Sequence, residues 1–409
     1  MKCMKKIIFT LIFNASLSSL IHAQGNWTQK ASFPGARRSN ALGFSIGSKA
    51  YIGLGNDGTL AYTDFWEWDQ STNIWTQKAN FPGAVRSCAV SFSIGNKGYF
   101  GTGMDSTTLF YKDFWEWNQA SNTWTQKADL PAAARGSAVG FSIGNKGYEG
   151  TGISAGNIRL KDFWEWDQTT NVWVQKADCG GRVREEATGF SIGGKGYIGL
   201  GIDSTDYWSG NALPAKDFWE WNQITDIWSQ KADFGGVARR EAAGFSIGSK
   251  GYIGTGAGAG SYNNTPDFWE WDTVTNVWTE KATYTGLGYA GVVGFSVGNK
   301  GYLGLGANFA SSQQDFWEFD PDVALEMDKV NYFCIINVYP NPTNGKFIIE
   351  TTAKENQAIQ VYDLNGRLAF SKIITHKTNI DATILNEGIY NLVIKSSEGI
   401  INKKLVVVK

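Results

Sequence analysis

Residues 64–78 read D-F-W-E-W-D-Q-S-T-N-I-W-T-Q-K, and near-copies of the stretch start at Asp113, Asp162, Asp217 and Asp267. Its first half alternates with a period of two residues. That puts Trp66 and Trp68 on one side of a strand and Phe65 with Glu67 on the other. The polar run ending at Asn73 reverses the chain, and Trp75 opens a second strand. Both sides of the first strand are largely apolar, as expected for a sheet sandwiched between neighbouring sheets.

Two more strands belong to each unit. The segment G-F-S-I-G-x-K-G-Y-x-G-x-G is anchored by Phe44, Phe92, Phe141, Phe190, Phe245 and Phe295. Its spacing to the following Tyr is always 7, Asp to the next Trp is always 11, and Lys of W-T-Q-K to the next anchor Phe is always 14. Only the gap between the last Gly and the Asp changes, holding 8, 9, 9, 15, 10 and 8 residues. A rigid frame with one elastic loop per unit leaves those loops free on one face. A period near 50 marks a propeller or an array.

The ends decide between them. The array begins with an orphan fourth strand, from Trp27 to Ala31, and ends with a third strand, Asp315 to Asp320, that has no successor. The orphan supplies what the last unit lacks, closing a ring and removing two open edges. The expected fold is all-β: a six-bladed β-propeller whose N-terminal strand closes the last blade, followed by a small β-sandwich. Here the repeat resembles the kelch family, on the Gly-x-Gly after the second strand, D-F-W-E-W-D, the x-T-N-x-W turn and the P-x-x-x-R that follows. It departs in having Gly-x-Gly where kelch units usually show Gly-Gly. The resemblance covers residues 24 to about 325 and includes the central domain of galactose oxidase. Kelch propellers include scaffolds, glycan binders and a few enzymes, so the fold does not select a function.

Outside the repeat, residues 1–23 read as a secretory signal: Lys2, Lys5 and Lys6, an apolar run, and Ala23 as a small residue before the cut. No later stretch is long and apolar enough to be a transmembrane segment. After a linker at 326–337, Trp disappears. Residues 338–409 carry Y-P-N-P-T-N-G-K-F, I-Q-V-Y-D-L-N-G-R and L-N-E-G-I-Y-N-L-V-I, alternating strands broken by N-G and E-G turns. This segment resembles the C-terminal sorting domains of the type IX secretion system. That implies the type IX machinery as a partner and a secreted or outer-surface location in a gram-negative bacterium.

Composition removes several functions. With 37 Lys+Arg against 38 Asp+Glu, the formal charge of −1 offers no general grip on nucleic acid. The 2 histidines, His22 and His376, lie in the signal and the sorting segment. The propeller therefore lacks the imidazoles of a copper oxidase, a zinc site or a His-based triad, and no metal or cofactor is expected. Cys88, Cys179 and Cys334 allow at most one bridge in the mature chain.

The binding candidates lie on the elastic-loop face. Of the 18 Trp, Trp208 alone is outside the frame, beside Tyr207 in the longest loop. Other loops carry Tyr62, Phe110, Tyr111, Tyr262 and Phe309, rings suited to sugars or peptide side chains or to packing back on the propeller shoulder. Arg38, Arg86, Arg135, Arg184 and Arg239 each stand 6 residues before an anchor Phe, with Tyr289 in the sixth unit. They form either a cationic ring drawing in a carboxylate or acidic sugar, or one tie per blade for the loop. Recurrence in every blade favours the tie. Glu185, Glu186, Arg240 and Glu241 add acids and a base beside them. Glu67 and its five counterparts read as paired structural acids, with Lys78 and its equivalents as partners. The leading expectation is a surface or secreted binding protein for a glycan or protein. The alternatives are a metal-independent sugar-modifying enzyme akin to the kelch-type sialic acid mutarotase, using Arg184, Glu185, Arg239 and Glu241, and a structural surface component.

Overall fold

Each repeat folds as a four-stranded antiparallel sheet because its fixed spacings place like residues opposite one another. In the first blade Leu42–Ile46, Lys49–Gly53, Phe65–Asp69 and Ile74–Lys78 pair in that order, aligning Phe44 with Tyr51, Tyr51 with Glu67 and Glu67 with Thr76. The computed structural model describes residues 25–203, 214–259, 265–308, 310–322, 336–351, 356–364, 366–396 and 399–409. The proposed signal, the loop residues Tyr207, Trp208, Tyr262 and Phe309, and most of the proposed linker lie outside the described residues. The chain divides into two compact units, Met1–Ala324 and Leu325–Lys409.

The first unit is a ring of six such sheets with the first strands innermost, each packed beside its neighbours. The blades interlock through aromatic rings. Phe65 meets Trp117 of the next blade edge-on at 5.0 Å, and Trp68 meets Phe316 of the preceding one at 5.1 Å. The second blade fits so closely that a Cβ at Gly98 would fall 1.9 Å from the Phe44 ring, whereas the first blade accommodates Ala50 at the same place. Polar clasps cross the same seams. Trp75 Nε1 donates to the Ala31 carbonyl at 2.9 Å, and Gln119 Nε2 donates to the Tyr51 hydroxyl at 2.7 Å.

Ring closure follows the truncated ends. Asn26–Gln29 pairs antiparallel with Phe316–Asp320, setting Trp27 opposite Phe319. The sixth sheet thus has its four strands, one from the far end of the chain. The C-terminal unit is a two-sheet β-fold. Three strands (Ile336–Tyr339, Lys346–Thr351, Lys377–Asp381) form one sheet and four (Leu368–Ile374, Gln357–Tyr362, Gly388–Ser396, Gly399–Val407) the other, around Phe347, Ile349, Ile359, Val361 and Leu392. Among the described residues no helix is long and apolar enough to cross a membrane.

Candidate functional site at the mouth of the axial channel

The five repeat arginines do not face a ligand. Arg38 is fully buried, forking onto Asp64 at 2.6 and 2.9 Å while donating to the Ala36 and Leu54 carbonyls at 3.0 Å each. Arg86, Arg135 and Arg184 repeat the fork on Asp113, Asp162 and Asp217, and Arg239 bonds one oxygen of Asp267 at 2.7 Å. Burial raises the Asp113 carboxyl, but Arg86 and the Trp115 indole outweigh it and leave it below the usual carboxylate range. Each of these arginines is thus an internal tie of its own blade, in five of the six blades. The guanidiniums have carboxylate and carbonyl partners inside the wall, with nothing left to offer the channel. Arg184 and Arg239 cannot serve a reaction at the surface for the same reason.

The described loop aromatics are also engaged. Tyr62 lies over the Arg38 guanidinium at 4.3 Å and donates to Asp57 at 2.6 Å. Tyr111 lies over Arg86 at 4.1 Å and donates to Asp105 at 3.0 Å. Phe110 is half-buried, its ring 3.5 Å from a Cβ built on Gly136. These rings lie back on the shoulder, capping the arginine ties. The third elastic loop is a short hairpin, Ile153–Ser154 with Ile158–Arg159, anchored on Arg135–Gly136.

The recurrent strand acids are paired. Glu67 accepts from Lys49 and from the Tyr51 hydroxyl, each at 2.7 Å, and faces Lys78 at 3.3 Å. Burial lifts its carboxyl, and those three donors together hold it below the usual range.

What remains is a collar four residues before each anchor Phe. Asn40, Cys88, Ser137, Glu186, Glu241 and Gly291 occupy equivalent places, all with positive φ between 51° and 62°. Backbone hydrogen bonds run from five of them to the one before: Asn40 to Gly291 at 2.9 Å, Cys88 to Asn40 at 3.3 Å, Ser137 to Cys88 at 2.7 Å, and Glu186 and Glu241 at 3.0 Å each. The backbone is thus alike at all six places while the side chains differ. Left-handed backbone costs any non-glycine residue about 1 kcal/mol or more, and scaffold needs would favour Gly or Asn throughout. The collar lines a cavity of about 180 Å³ at the loop-face end of the channel, together with Ala41, Leu42, Ala89, Ala138, Ala187, Ala242 and Val292.

Charge is gathered on three adjacent blades of the collar. Arg240 contacts Glu186 at 2.5 Å and Glu241 at 3.2 Å, and Arg159 from the third-blade hairpin contacts Glu185 at 2.5 Å. Burial, then the Glu186 charge, push the Glu241 carboxyl up to about 8, with Arg240 opposing. Burial and Glu186 also raise Glu185, against Arg159. Burial, reinforced by Glu186 and Glu241, pushes the Cys88 thiol up to about 12, so the thiol stays protonated. The acids beside the arginine positions were visible in the sequence. So was Arg240 as a base among them; Arg159 as the partner of Glu185, and the collar itself, were not. The available signal was a pair of adjacent columns, four and five residues before the anchor Phe, that vary between the recurrent Arg and the constant Phe.

Fold and collar together define a six-bladed β-propeller with a polar axial mouth, joined to a C-terminal β-unit. Residues 337–408 match the family model of the secretion system C-terminal sorting domain. This makes the chain a secreted or cell-surface protein exported by the type IX system. Among solved structures, one titled "Structure of YjhT" is similar with a TM-score of 0.59 and 17% identity, over 70% of this chain and 96% of that one. That likeness concerns the propeller fold. No curated protein matches the chain.

Proposed function

We propose that the protein is a non-enzymatic binding protein of the cell exterior that takes a glycan or protein ligand on the elastic-loop face, centred on the axial mouth. The observation that carries this reading is the collar, where a backbone held alike in every blade bears unlike side chains, including two adjacent acids in a strained conformation. The repeat spacing leads us to expect the long loop bearing Tyr207 and Trp208, which lies outside the described residues, on the same face. A screen of the secreted full-length chain against glycan and protein panels tests the reading. A ligand whose affinity drops at least tenfold in Glu186→Gln, with an unchanged melting curve, supports it. A ligand indifferent to both Glu186→Gln and Trp208→Ala removes the site from this face.

One observation favours a second reading, a sugar-modifying enzyme without a metal. Glu241 is held protonated beside Glu186, so a donor and an acceptor of a proton stand together. Anomer exchange on sialic acid, followed by NMR, separates the two, because a binder leaves the uncatalysed rate unchanged.

A further inference from the structure

We propose that the collar recognises a primary ammonium on an unbranched alkyl stem, the lysine side chain of a protein ligand. This rests on the axial mouth being the ligand site. The collar is rich in acceptors: the Glu186 and Glu241 carboxylates, the Asn40 amide oxygen and the Ser137 hydroxyl line the same cavity. Among the described residues three acids, Glu185, Glu186 and Glu241, and two cations, Arg159 and Arg240, form its ion pairs. Ionised in full, this set has one negative charge too many. In the free protein a proton on Glu241 supplies the balance. A ligand cation can take over that role.

The cationic side is already strained for partners. The Arg159 side chain is only 9% exposed, and its Nε has no hydrogen-bond partner. Its charge is held by Glu185 alone, so it leaves Glu186 and Glu241 to Arg240. That single guanidinium reaches one oxygen of each. A compact ammonium with three donors can bridge the remaining oxygens, whereas a second guanidinium would need a carboxylate edge to itself.

The aliphatic part of the lining selects the stem. Apart from the collar residues the cavity is lined by Ala41, Leu42, Ala89, Ala138, Ala187, Ala242 and Val292. A pyranose filling the cavity would turn hydroxyls toward groups that cannot bond them. An alkylammonium places only its head among the acceptors and lays its methylene stem against the aliphatic groups.

Binding must then release a proton. At pH 7 the free site carries the proton on Glu241, and the complex does not. Titration calorimetry of the full-length secreted chain with Nα-acetyl-lysine amide, run in phosphate and in Tris, reads this directly. The expected result is saturable binding with release of close to one proton. Affinity should rise by up to about tenfold per pH unit between pH 6 and 8. Glu241→Gln should weaken binding at least tenfold while its tryptophan-fluorescence melt stays cooperative. If that variant does not fold, proton release by the unaltered protein decides the matter. Equal binding of the Nε-acetylated analogue, binding without proton release, or tighter binding of glucosamine would each overturn the proposal. If the lysine probe fails while a screened ligand still depends on Glu186, the ammonium assignment falls and the mouth remains the site. Loss of both removes the mouth as well.

Discussion

The Trp27 indole donates its Nε1 hydrogen to the Ala282 carbonyl at 2.8 Å, joining residues 255 positions apart. Trp75, Trp124, Trp173, Trp228 and Trp278 make the same bond to the Ala of the preceding blade. The N-terminal strand therefore restores a seam identical to the other five. Trp27 is also buried against Phe268, Tyr284 and Phe319 at about 5 Å. Trp27→Ala should cost about 3–5 kcal/mol, the usual penalty for emptying a buried aromatic site. Trp75→Ala, at an internal seam, should cost a similar amount in urea denaturation. A Trp27 variant as stable as the parent would mean that the ring does not depend on this closure.

The arginine ties lead to a different expectation. Arg135 is fully buried, and Asp162 opposite it is partly exposed. Asp162→Asn leaves a buried guanidinium without its counter-charge, whereas Arg135→Ala leaves a carboxylate that water can still reach. Both should destabilise, and Asp162→Asn should cost about 3 kcal/mol or more. Neither should change binding of any ligand once the loss of folded protein is taken into account. A selective loss of affinity in a fully folded Arg135 variant would restore the cationic-ring reading.

Glu149 predicts a pH dependence. It stands where the other blades have Ile52, Phe100, Ile198, Ile253 and Leu303, and it is 0% exposed. Neither carboxyl oxygen has a hydrogen-bond partner. Burial pushes the carboxyl up to about 7, with Arg135 opposing. The folded value lies above the unfolded one near 4.5, so the contribution is most favourable below pH 4.5 and is lost as pH rises toward 7. The loss is on the order of 3 kcal/mol. Glu149→Leu should therefore raise the melting temperature, more at pH 8 than at pH 5. An equal gain at both would show that the carboxyl titrates in the fold as it does in the unfolded chain.

The frame was open to sequence reading because every blade repeats the same packing problem and solves it with the same residues. Phe44, Tyr51, Trp68 and Trp75 each had five counterparts at equal spacing. Closure by Trp27 could be read from what the last unit lacked. The site was less legible, since recurrence is a signal for scaffold. Arg38 and its equivalents drew attention by recurring and proved to be ties. The collar residues have only their backbone in common, a conformation that no spacing announces. Arg159 reaches Glu185 through a hairpin whose register depends on Gly136 and Ile153 pairing, a contact between a loop and a strand of its own blade. Glu149 breaks the apolar column of its strand, but substitution alone does not tell a buried acid from an exposed one.

Glu241 should show the tension between stability and function in one substitution. Its φ of +54° is unfavourable for a side chain, and its neighbour Glu186 already has Arg240 at 2.5 Å. Glu241→Gly removes the strained residue and the like-charge contact while leaving the Glu186–Arg240 pair in place. A gain of about 1 kcal/mol is expected from the backbone alone. A further gain should appear as pH rises toward 8, because the raised carboxyl makes the parent lose stability over that interval. Ligand affinity should fall at the same time. Melting curves at pH 6 and pH 8.5, set beside the binding titration, check both halves. A variant that binds as well as the parent and is also more stable would leave the strained glutamate without a function to account for it.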